Sequence, residues 1–67
     1  MNRVELKVAM TRKGIRHIEL ANQLNINPAT LYNKMSGETE FTLAEVRNMK
    51  QILELSNEAF NDIFLIG

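Results

Sequence analysis

IRHIELANQLNINPATLYNKMSGE, residues 15–38, decides the fold. Ile18, Leu20, Ala21 and Leu24 recur at core-facing helical spacing and predict a helix over His17–Leu24. Asn25, Ile26 and Asn27 leave room only for a tight turn. Asn25 tolerates a positive φ, and Ile26 can plug the space between two helices. Asn27 before Pro28 reads as an N-cap with proline at the first helical position, so a new helix opens at Pro28. It runs to about Ser36, with Leu31 and Met35 four residues apart facing inward, and Gly37 closes it.

Upstream, residues 3–13 predict another helix. Asn2 caps it, Arg12 and Lys13 suit the negative end of its dipole, and Gly14 is placed for a left-handed stop. Leu6, Ala9 and Met10 share one face while Val4 and Val8 lie nearly opposite, so the pattern asks for cover on two sides. Downstream, residues 38–41 read as a polar loop, and Thr42 with Glu45 forms a capping box for a fourth helix ending near Leu55. Leu43, Val46, Met49 and Leu53 give that helix its apolar stripe. Ser56 then caps a fifth helix over residues 57–65, with Ala59, Phe60, Ile63 and Phe64 on one face. The segment 59–66 is the one element left to cover Val4 and Val8, with Leu65 or Ile66 turned to solvent or a second subunit. The expectation is an all-α, compact five-helix domain over residues 1–67.

At 67 residues the chain buries roughly 60% of the surface exposed when unfolded, enough for one small core. It has no cysteine, so neither disulfides nor thiolate metal sites are available, and a reduced cytoplasm is expected. MNRVELKVAM lacks the apolar run of a signal peptide, and no segment approaches a membrane span. One histidine, one aspartate and no glycine-rich phosphate loop leave catalysis without parts. No enzyme activity, cofactor, metal or small-molecule ligand is therefore expected. Net charge is zero, yet residues 1–37 carry six cations against two anions and residues 38–67 two against six. The first half is the candidate nucleic-acid side.

The order and spacing within residues 15–38 resemble the helix-turn-helix of the Cro and lambda-repressor-like (XRE-type) family, with the motif over about residues 16–37. The likeness rests on Leu20 and Ala21, Ile26 after the turn, Leu31 and Gly37. NKMSGETEFTLAEVRNMKQILELSNEAFNDIF, residues 33–64, is similar to the later helices of small phage-repressor-like members. The resemblance implies a phage or prophage transcriptional regulator, in a bacterial or phage-infected host cytoplasm, that binds a double-stranded DNA operator as a homodimer. The short length suits a Cro-like component better than a full repressor.

In such a family the second motif helix enters the major groove. Mapped onto this chain, the base contacts fall to Asn27, Pro28, Ala29, Tyr32 and Asn33, and the phosphate contacts to Arg16, His17, Thr30, Lys34 and Ser36. Asn27 is first an N-cap. Asn33 suits an adenine edge. Tyr32 reaches a base or a phosphate, or lies on its own helix. His17 stands where the family commonly has a phosphate-bonding glutamine, and Arg16 where a Ser or Thr cap is usual. Glu38 and Glu40 occupy a loop that is basic in many relatives, which puts backbone anchoring there in doubt. The alternative is a protein-interaction module docking through Phe60, Phe64, Leu65 and Ile66, with little DNA binding.

Overall fold

A computed structural model describes residues 1–64. Its regular structure there is five α-helices and no strand: α1 Arg3–Lys13, α2 His17–Leu24, α3 Pro28–Ser36, α4 Leu43–Ile52 and α5 Asn57–Phe64. Residue 65, expected to extend α5, and Ile66 lie outside the described residues.

Caps fix most of these boundaries. The Asn2 side chain accepts from the Glu5 N–H at 3.1 Å, and Asn27 from the Ala29 N–H at 2.8 Å. Thr42 and Glu45 form the reciprocal box expected of them, with bonds of 2.8 and 3.1 Å. The Ser56 hydroxyl accepts from the Ala59 N–H, as its capping role requires. Gly14, Asn25 and Gly37 end α1, α2 and α3 at positive φ (72°, 62° and 93°), the conformation that glycine and asparagine adopt most readily. α4 ends three residues earlier than the sequence suggests. Glu54 takes φ 51° after it, a conformation unusual for glutamate, and forms an exposed ion pair with Lys13.

The core is one cluster: Leu6 and Met10 of α1, Leu20, Ala21 and Leu24 of α2, Leu31 and Met35 of α3, Met49, Leu53, and Ile63 of α5. Ala21 is fully buried, as a small residue between two closely packed helices must be. α2 and α3 pack against each other across the turn at Asn25–Asn27, with Ile26 half-buried beneath it. Phe41, from the loop expected to be polar, packs on the core and meets Phe64 edge to face at 6.2 Å.

Three apolar expectations are corrected. Val4 and Val8 are not covered: they are 69% and 39% exposed. α5 packs along the Ala9 flank of α1, where Ile63 reaches the core beside Leu6, and one helix cannot also wrap round to the opposite face. The Asn2 N–H donates to the Ile63 carbonyl at 2.7 Å, tying the end of α5 to the start of α1. Ile18 and Leu43, each 67% exposed, drop out of their stripes. Both stand in first turns, where Cα–Cβ bonds lean toward the helix N-terminus and carry the side chain past the packed region.

Candidate nucleic-acid interface

The outer face of α3 follows from burying Leu31 and Met35. At 100° per residue, Ala29, Asn33 and Ser36 lie opposite that pair, with Pro28 and Tyr32 on one flank and Thr30 and Lys34 on the other. Asn27, Pro28, Ala29, Thr30, Tyr32 and Asn33 are all exposed. The Asn27 side-chain oxygen is engaged by its cap, leaving its NH2 group outward. Asn33 uses its backbone carbonyl to accept from the Ser36 hydroxyl and the Glu38 N–H, both at 3.0 Å. Its side-chain amide makes no hydrogen bond to any described residue. Ser36 has turned its hydroxyl hydrogen back onto its own helix, so as it stands it has only lone pairs to present.

Lys34 departs furthest from its expected role. Its ammonium donates to Glu45 Oε1 at 3.0 Å and to the Glu40 carbonyl at 3.1 Å, 5.9 Å from the centre of the Phe41 ring. Only 12% of its side chain and 14% of Glu45's is exposed. This cation is a brace between α3 and the start of α4 rather than an open phosphate ligand. Burial alone would raise the Glu45 carboxyl. The Thr42 N–H, the Lys34 ammonium and the Thr42 hydroxyl outweigh it and hold the group below its ordinary value.

A carboxyl lowered by folding contributes stability at neutral pH that is lost as pH falls through its folded-state value. Thermal melts below about pH 4.3, the usual glutamate value, should therefore fall more steeply in the wild type than in Glu45→Gln. Lys34→Ala should lose about 1.5–3 kcal/mol of stability, the scale of a hydrogen bond to a charged group. Parallel acid profiles for wild type and Glu45→Gln would remove the brace from the account.

Arg16 and His17 open α2 and are exposed. A guanidinium has no lone pair for a cap. The local bond instead runs from the Arg16 N–H to the Glu19 carboxylate at 3.0 Å, and the guanidinium stays outward. His17 lines a cleft of about 370 Å³ between α1 and α3, together with Arg3 and Lys7, facing Pro28, Tyr32 and Ser36. Sequence reasoning missed Arg3 and Lys7 as site residues. Their signal was present in the basic first half and in their four-residue spacing on one helix, but nothing in the sequence places α1 beside α3.

The charge division is also spatial. A second groove, of about 500 Å³ between α1 and α5, has Glu5, Glu54, Glu58 and Asp62 on its walls against Arg12 and Lys13. The cleft beside α3 has no acidic wall residue. Phe60 and Phe64, the aromatic part of the alternative docking surface, are half-buried and pack on each other at 5.3 Å. No helix among the described residues is long and apolar enough to cross a membrane. Comparison with descriptions of protein families, with curated proteins and with solved structures finds no match to this chain.

Proposed function

We propose that this protein is a sequence-specific double-stranded-DNA-binding regulator of the lambda-repressor-like type, with α2, the turn and α3 acting as a helix-turn-helix. The observation that carries the reading is the outer face of α3: a short helix exposed along Asn27–Thr30, Tyr32 and Asn33, with an Asn33 amide bonded to no described residue and small Ala29 beside it. A major groove about 12 Å wide accepts such a helix, and its base edges offer bidentate partners to asparagine. Asn27, Ala29 and Asn33 are the base-reading residues in this account, with Pro28 able to meet a thymine methyl. Arg16, His17 and Thr30 contact the backbone. Homodimerisation on a two-fold operator completes the proposal.

Selection from a random duplex pool, followed by gel shift, tests it. The expected result is a short enriched motif bound with an affinity that falls as salt rises. Asn33→Ala should relax preference at one base pair, losing roughly 1–3 kcal/mol of discrimination there. Equal weakening on selected and random duplexes would end the assignment of Asn33 to a base. A pool that enriches nothing would overturn the function itself.

A further inference from the structure

The two flanks of α3 are unlike in charge. Toward α4, the cation that α3 itself offers is held by Glu45 and the Glu40 carbonyl, and Glu38 and Glu40 stand in the adjoining loop. Toward α1, Arg3 and Lys7 line the open cleft beside Tyr32 and His17. Both are exposed, and neither has an ion-pair partner among the described residues. Glu5, the acid nearest in sequence, faces the other groove.

Arg3 and Lys7 are one turn apart, about 5–6 Å between Cβ atoms, and both line the cleft while staying exposed. Two cations spread along a helix beside an open channel suit a row of anionic groups rather than a single enclosed ion. Tyr32 is 65% exposed on the same channel, and its hydroxyl is bonded to no described residue.

We infer that the α1–α3 cleft holds the sugar–phosphate backbone of one DNA strand, with Arg3 and Lys7 as its anchoring cations and the Tyr32 hydroxyl donating to the same strand. The inference rests on the DNA-binding reading and extends it. It moves Tyr32 from the bases to the backbone, and it gives to the first helix the anchoring that the acidic 38–41 loop is not placed to supply.

The experiment is fluorescence anisotropy with the selected duplex and a random one, over about 50–200 mM salt. Arg3→Gln with Lys7→Gln should make the slope of log K against log salt shallower by about 1.8 for each bound subunit, at roughly 0.9 per phosphate contact, and so by about 3.6 for a dimer on its operator. Both duplexes should weaken by the same factor, and the selected motif should not change. Arg12→Gln with Arg47→Gln removes the same charge from other surfaces and should leave the slope as in the wild type. Tyr32→Phe should weaken both duplexes equally. A wild-type slope retained by the Arg3 and Lys7 double variant overturns the inference and leaves DNA binding standing. So does an equal slope change in the Arg12 and Arg47 control, because net charge would then be the cause. A wild type that binds neither duplex at low salt overturns the DNA-binding reading, and the inference with it.

Discussion

Deleting residues 57–67 is expected to unfold the protein. The fully buried contribution of α5 is Ile63, 2% exposed, while Phe60 and Phe64 are half-buried, with Phe64 braced against Phe41. A fully buried Ile or Phe side chain is worth about 1.5–3 kcal/mol, so these three together supply roughly 3–6. A chain of this length has a total stability of only about 3–10 kcal/mol, at 0.05–0.15 per residue. The deletion also removes the Ile63 carbonyl that accepts from Asn2, loosening the start of α1. Circular dichroism should give no cooperative thermal transition for residues 1–56. A transition near that of the full chain would mean that four helices suffice and that α5 is an appendage.

Leu31→Ala should be the most damaging single substitution on α3. Leu31 is wholly buried, on the face opposite Ala29 and Asn33. Truncating such a leucine costs about 2–5 kcal/mol, the spread depending on how far neighbours collapse into the space. At about 4–8 °C per kcal/mol for a domain of this size, the melting temperature should drop by roughly 8–40 °C. On the proposed function, any surviving folded fraction should bind DNA as the wild type does, since the outer residues are untouched. The measurement is therefore a melt alongside a binding titration corrected for the fraction folded. A loss below about 1 kcal/mol would show that α3 is held by its caps and turn rather than by its buried face, against what large-to-small core substitutions do elsewhere.

The sequence was most legible where the chain talks to itself locally. Asn2, Asn27 and Thr42 state where helices begin, and Gly14, Asn25 and Gly37 state where three of them end, because caps are bonds between residues two to five apart. Legibility failed where the answer depended on which helix packs on which flank. Val4 and Val8 looked in need of cover because an apolar residue asks for burial, but two exposed valines are ordinary on a small surface. Lys34 looked like a phosphate ligand because its partner, Glu45, lies eleven residues away across a loop. Phe41 was lost among polar neighbours for the same reason. At the candidate site, the outward set on α3 could be read from period alone, whereas Arg3 and Lys7 beside it required the tertiary fold.

The separation of charge across α1 bears on how a neutral molecule meets a polyanion. The α3-side cleft and the acidic groove lie on opposite flanks of one helix, about 10–12 Å thick with its side chains. At physiological ionic strength the screening length is about 8 Å, so a strand in the cleft is shielded from much of the repulsion of Glu5, Glu58 and Asp62. At 0.01 M salt that length grows to roughly 30 Å. It then exceeds the 28 Å longest dimension of the molecule, and the approaching DNA senses a dipole with no net charge. Under the proposed function, such a protein is turned to face DNA as it arrives rather than drawn in from afar. Its association rate should accordingly gain little from low salt, where a uniformly basic domain would gain most.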